Sequence, residues 1–134
     1  MYMPQLAPIT VNDGSKDRNF TPKGITANVA ELVELNASGV ALARPRLTCK
    51  VSTTSTGRSK VELKLAVPVV QDAIVGGVSR PQIVRTGYAD ITFTSDGAST
   101  FDERHALRYL VGNLLTGAGS APIHYAVDDA TGLY

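Results

Sequence analysis

The chain has 134 residues, 43% of them hydrophobic and 19% charged, with a formal net charge of +1. That length suits one domain with a real core, and the composition excludes disordered, collagen-like and fibrous classes. One cysteine, Cys49, excludes an internal disulfide framework and any cysteine-based zinc cluster. The opening Met1-Tyr2-Met3-Pro4-Gln5 lacks the basic and apolar regions of a secretory signal. The longest uncharged run, Tyr109 to Val127, is interrupted by Asn113, Pro122 and three glycines, so no membrane span is expected.

The N-terminal third reads as short strands and turns. Leu6 to Val11 is a candidate strand, and Asn12-Asp13-Gly14 is a turn, Asp-Gly being a strong hairpin signal. Thr21-Pro22-Lys23-Gly24 reads as another turn, Val29 to Leu35 as another strand, and Asn36 to Gly39 as a loop. The charge then changes. Residues 44–64 hold Arg44, Arg46, Lys50, Arg58, Lys60 and Lys64 against Glu62 alone. Such a cluster attracts polyanions and is the usual footprint of nucleic-acid binding. A solvated strand face kept soluble by lysines would give the same count.

Periodicity adds direction. From Arg46 to Ser52 the chain alternates, with Leu47, Cys49 and Val51 on one side and Arg46, Thr48, Lys50 and Ser52 on the other. Residues 53–59 are polar and contain Gly57. Val61, Leu63 and Leu65 then alternate with Lys60, Glu62 and Lys64. Two alternating runs with a short Gly-containing connection make a hairpin, and its two polar faces share one side of the sheet. Pro68 is expected to end the second strand. Val69 to Ser79 then reads as a loop ending in Ile74-Val75-Gly76-Gly77-Val78. Its apolar residues suit contact with another subunit, or else a long flexible connection. A third strand, Tyr88 to Thr94, turns Ala89, Ile91 and Phe93 inward and Tyr88, Asp90, Thr92 and Thr94 outward. In the same antiparallel sheet, Tyr88 would share the lysine surface.

The period changes after residue 98. Thr100 and Glu103 form a capping box. Leu107, Leu110, Val111, Leu114 and Leu115 recur at helical spacing, predicting four turns that stop near Gly117. Pro122 suits the first turn of a second helix over residues 121–129. Strands followed by helices give an α+β class in a single domain, β-rich over 1–98 and helical over 99–134. The helices are expected to cover the apolar face of the sheet and leave the basic face bare.

Enzyme motifs are largely absent: the sequence has no Gly-rich dinucleotide turn, no phosphate loop and no nucleophile elbow. His105 and His124 lack ligand spacing. Adjacent Asp128 and Asp129 point apart on a helix, and Cys49 faces the core side. The expectation is no catalytic residue, no cofactor and no metal. Asn19-Phe20-Thr21 and Asn36-Ala37-Ser38 match the glycosylation sequon but follow no secretory signal.

Arg85-Thr86-Gly87-Tyr88-Ala89-Asp90-Ile91-Thr92-Phe93, followed by Ser99-Thr100 and Asp102-Glu103-Arg104, resembles the Arg-x-x-Tyr-Ala-Asp-Val-Thr-Phe strand and helix start of allolevivirus coat proteins. Thr48-Cys49-Lys50-Val51, Val75-Gly76-Gly77-Val78 and Thr131-Gly132-Leu133-Tyr134 resemble the other branch of the leviviruses, the small positive-strand RNA bacteriophages. The similarity runs from about residue 44 to the end and is looser before it. It implies an N-terminal β-hairpin, a five-stranded antiparallel sheet and two C-terminal helices. It implies an intertwined dimer clasped through Leu107, Leu110, Val111, Leu114 and Leu115, and T=3 icosahedral assembly in the bacterial cytoplasm into a virion. The 74–78 loop would lie between dimers. It also implies that the inner sheet face binds genomic single-stranded RNA and an operator hairpin that represses replicase translation. By position the RNA residues would be Thr48, Lys50, Arg58, Lys60, Glu62, Lys64, Tyr88 and Asp90. The lysines and arginine would neutralise phosphates, Tyr88 would stack a base, and Thr48 and Asp90 would bond base edges. A maturation protein is a further implied partner, and no membrane is. The sequence departs from the family in the short turn at 53–59, the negative Glu62 on the RNA face, and the lack of cysteine in the 69–79 loop, which excludes the inter-loop disulfides of some members. Without the resemblance, a cellular dimeric RNA-binding module that forms no shell fits the same residues.

Overall fold

A computed structural model describes residues 5–35, 44–116 and 121–133, the side chains of Val75 and Ala121 excepted. The chain divides into two compact units, Met1–Thr94 and Ser95–Tyr134. The 36–39 loop, the second sequon, Gly117, Ala121's side chain and the N-terminal Met1–Pro4 fall outside the described residues, as does Tyr134.

The first unit is a sheet of six strands in chain order: β1 (Ile9–Asn12), β2 (Asp17–Thr26), β3 (Val29–Val33), β4 (Arg46–Thr53), β5 (Ser59–Val75) and β6 (Val78–Ser95). The expected hairpin and five-stranded sheet are both present, and β2 belongs to each, so six strands result. The β1–β2 turn is built by Asp13. Its Oδ1 accepts the amides of Ser15 and Lys16, both at 2.9 Å, and the Ser15 hydroxyl at 3.0 Å. Those donors hold the Asp13 carboxyl down to about 2.

Three local expectations are corrected. Thr21–Gly24 is not a turn. β2 runs through it, and the β2–β3 register shifts between Pro22 and Gly24. A bulge there accommodates a proline that cannot donate and a glycine at φ 152°. The real turn is Ala27-Asn28, where both φ values are positive, 52° and 65°, as a two-residue hairpin of the primed type needs. Second, Pro68 does not end its strand. β4 starts at Arg46, opposite Ala66, so beyond that point β5 lacks this neighbour and a proline can turn its nitrogen to the open side. Third, most of the expected 69–79 loop is strand. β5 and β6 extend to a two-residue turn at Gly76 (φ 60°) and Gly77 (φ 81°), two glycines that take positive φ without strain.

The buried apolar residues among those described are Phe20, Leu32 and Val33, on β2 and β3, and Pro45, just before β4, with Leu32 only 2% exposed. Beside them Glu34 is buried. It accepts a two-pronged bond from Arg18, Nε at 2.8 Å and Nη2 at 3.1 Å, and its own amide donates to Pro45 at 3.0 Å. This bond raises the Arg18 pKa, which keeps the guanidinium charged. On β4 and β5 the expected core face is only partly covered. Leu47, Cys49, Val61, Leu63 and Leu65 are half-buried, and Val51, near the hairpin end, is exposed.

The second unit carries α1 (Phe101–Thr116) and α2 (Ala121–Asp129). The capping box forms as predicted: the Thr100 amide donates to Glu103 Oε2 at 3.2 Å, and the Glu103 amide donates to Thr100 Oγ1 at 3.3 Å. No residue of α1 is buried, and Leu107, Leu110, Leu114 and Leu115 are all exposed. On the other side of the helix Phe101 stacks on His105 and Tyr109 tilts against it, one turn apart, with ring centroids 5.5 and 4.7 Å apart. α2 closes at Ala130, whose φ of 53° is the left-handed conformation that ends helices.

Candidate nucleic-acid interface

The site rests on strand register. In the β4–β5 pair, Thr48 opposes Lys64, Lys50 opposes Glu62 and Ser52 opposes Lys60. Directly opposed residues project from the same face, so Thr48, Lys50, Lys60, Glu62 and Lys64 share one surface as their alternation predicts. Arg46 belongs to it as well. In the β3–β4 pair, Val29 opposes Lys50, Glu31 opposes Thr48 and Val33 opposes Arg46. β3 thereby adds Val29, Glu31 and Val33 to the same face. Sequence reasoning did not assign Val29 or Glu31 to this surface. Their strand was visible, but its register against Lys50 is a long-range property that no local pattern prints.

Among the described residues, three clefts furrow this face. One of about 300 Å³ is lined by Val29, Thr48, Lys50, Glu62 and Lys64. The next, about 200 Å³, shares Val29 and adds Lys23, Gly24, Thr26 and Glu31. The third, about 230 Å³, is lined by Lys23, Val33, Leu35, Arg44 and Arg46, and the Arg44 Nε is buried with no hydrogen-bond partner among the described residues. Lys23 sits 3.8 Å from Glu31, a loose ion pair.

The charges are uneven. Lys60 Nζ lies 2.8 Å from Glu62 Oε1. That bond, with the nearby charges of Lys60, Lys50 and Lys64, lowers the Glu62 pKa, so the carboxylate is ionised at neutral pH. One fixed acceptor therefore stands among three cations. A surface of this kind neutralises phosphates and presents both donors and an acceptor to a base.

The other expected site residues are placed separately. Arg58 lies in the hairpin turn, where the Thr54 amide donates to the Arg58 carbonyl at 2.8 Å and the Arg58 amide donates to Thr54 Oγ1 at 3.1 Å. It stands at the end of the β4–β5 face. Tyr88 (77% exposed) and Asp90 lie on β6, the strand beside β5, and neither lines these clefts. At the β5–β6 tip Ile74 and Val78 flank the glycine turn and are exposed, while the Val75 side chain falls outside the described residues.

The family model for the levivirus coat protein matches residues 4–134. The chain is 37% identical over 118 residues to the capsid protein of Pseudomonas phage PRR1, covering 88% of each chain. It is 33% identical over 121 residues to the capsid protein of Escherichia virus Qbeta, covering 84% of this chain and 88% of that one. Among solved structures, the virus-like particle of Beihai levi-like virus 21 superposes with a TM-score of 0.83 at 30% identity, over 98% of this chain and 99% of that chain. The bacteriophage GA protein capsid superposes with a TM-score of 0.80 at 22% identity, over 95% and 96%, a likeness of fold.

Proposed function

This chain belongs to the levivirus coat protein family, and from that membership we propose that it dimerises, assembles into an icosahedral shell around single-stranded genomic RNA and forms the virion. On this reading the β3–β5 face binds RNA, including a hairpin through which the coat protein represses replicase translation. The observation that carries the RNA assignment is the in-register placement of Lys50, Lys60 and Lys64 on one furrowed face. Phosphate neutralisation by these groups supplies affinity without sequence. Tyr88, Thr48 and Asp90 supply a stacking ring and base-edge contacts, and Arg58 extends the basic strip at the hairpin end. The uncovered leucines of α1 support dimerisation: a second copy would bury them. The named relatives are structural capsid proteins, and a structural role is proposed here too.

Replacing Lys50, Lys60 and Lys64 together by alanine tests the assignment. The expected outcome is particles that still form but hold less RNA. The dependence of RNA affinity on salt should become shallower, by about one in slope for each phosphate that is no longer neutralised. Unchanged RNA content and an unchanged salt slope would overturn the RNA-face assignment.

A further inference from the structure

The cleft at the Arg46 end of the face, about 230 Å³, is built differently from the other two. Three cations converge on it from separate places: Lys23 from β2, Arg44 from the segment ahead of β4, and Arg46 from β4 itself. Lys23 is the residue left unpaired where the β2–β3 register shifts between Pro22 and Gly24, and a bulge re-aims the side chain it displaces. Pro45, buried between the two arginines, accepts the Glu34 amide at 3.0 Å, which fixes the backbone that carries them. The other walls, Val33 and Leu35, are apolar. Among the described residues no carboxylate lines this cleft. Glu31, which pairs loosely with Lys23 at 3.8 Å, lines the neighbouring one. Residues 36–43, which lead into Arg44, contain no acid. The Arg44 Nε is buried without a partner among the described residues, and a buried donor is costly until something accepts from it.

Charge separates the candidate ligands. Three cations around one cavity call for more than a single negative charge. A phosphate inside an RNA strand carries only one. A terminal phosphate monoester carries about −1.5 to −2 at neutral pH, and a terminal triphosphate carries more. The guanidinium fork grips two oxygens of one phosphate side by side. The volume falls below the roughly 300 Å³ at which small-molecule sites begin, so it suits phosphate groups without their base. We propose that the Lys23–Arg44–Arg46 cleft binds a multiply charged terminal phosphate, supplied by the 5′ end of an RNA or by a free nucleotide. For the RNA source the proposal rests on the RNA-face reading. It adds a preference for a chain end, which neutralisation along a strand would not give.

The test uses the full-length protein and one RNA hairpin with a short single-stranded 5′ tail, prepared with a 5′-triphosphate, a 5′-monophosphate or a 5′-hydroxyl. The triphosphate RNA should bind about 10- to 100-fold tighter than the hydroxyl RNA, the scale of a charge-assisted two-pronged contact, with the monophosphate between them. Arg44→Gln should erase that difference and Lys23→Gln should reduce it, circular dichroism reporting that both variants keep the sheet. Lys50→Gln, in another cleft, should weaken all three RNAs and keep their order. Inorganic triphosphate titrated into the protein without RNA, at constant ionic strength, tests the free source: it should bind, and Arg44→Gln should remove the binding. The comparison of 5′ ends on the unaltered chain decides the matter even if a variant fails to fold. Equal affinity for the three RNAs together with no binding of inorganic triphosphate overturns the proposal, as does an end preference that survives Arg44→Gln in a folded variant. If no RNA binds even at low salt while inorganic triphosphate binds through Arg44, the RNA-face reading falls and the phosphate site stands.

Discussion

The two units differ in how far they bury their apolar residues. The sheet unit closes a small core of its own, with Phe20, Leu32 and Val33 buried and the partly buried Arg18–Glu34 pair beside them. The helical unit buries no residue of α1 and leaves Leu110 63% exposed. Covering one leucine is worth about 1.5–3 kcal/mol, so a row of bare leucines at helical spacing is a large unused driving force. The sheet carries part of its own stabilisation, and the helical unit leaves its apolar face uncovered, as the proposed dimer requires. Solubility explains the difference poorly, since exposed leucines work against it. The proposed dimer, which would bury them, accounts for it.

Substitutions can break this contrast from either side. The largest single effect is expected in the sheet core. Leu32→Ala should cost about 2–5 kcal/mol of stability, the range for a fully buried leucine, read as a lower urea midpoint. Arg18→Ala should follow closely, at about 3 kcal/mol, because it leaves the buried Glu34 carboxyl without its partner. The value sits near the lower end because Arg18 is partly open to water. Thr100→Ala should cost about 1 kcal/mol and act on α1 alone. Circular dichroism would show reduced helix content with the sheet signal unchanged.

The smallest effect concerns acid. The folded Asp13 carboxyl titrates near 2 and its ordinary value is 3.8. A depressed value stabilises the fold fully above the ordinary one, and the contribution is lost as pH falls from about 4 toward 2. Asp13→Asn removes the charge while keeping an acceptor. Stability of the unchanged chain should therefore fall more steeply across that window than stability of the variant. Parallel curves would remove Asp13 from the acid response.

Much of this was legible in the sequence because it obeys local rules. Leu47, Cys49 and Val51 alternate with Thr48 and Lys50, and that alternation alone placed the basic face. Thr100 and Glu103 announced the start of α1, and the leucine spacing announced its stripe. The misreadings came where a neighbouring strand decides. Pro22 and Gly24 look like a turn until a bulge takes them into β2. Pro68 looks like a strand end until β4 is seen to begin only at Arg46, opposite Ala66. Val29 joined the face only through its pairing with Lys50, a contact 21 positions away in sequence. The cleft around Glu62 was illegible for the same reason: Glu62 appeared as an anomaly among lysines, and only the register supplied the walls around it.

The contrast between the units turns on what covers α1, and sedimentation velocity of Leu110→Asp beside the unchanged chain measures it most directly. The unchanged chain should sediment as dimers or larger assemblies. The variant should sediment as a monomer that keeps its sheet signal in circular dichroism, because a charge on the leucine face blocks a second copy while the sheet core is untouched. A variant that still forms dimers or particles of unchanged stability would show that α1 does not hold the subunits together, and that its exposed leucines serve some other contact.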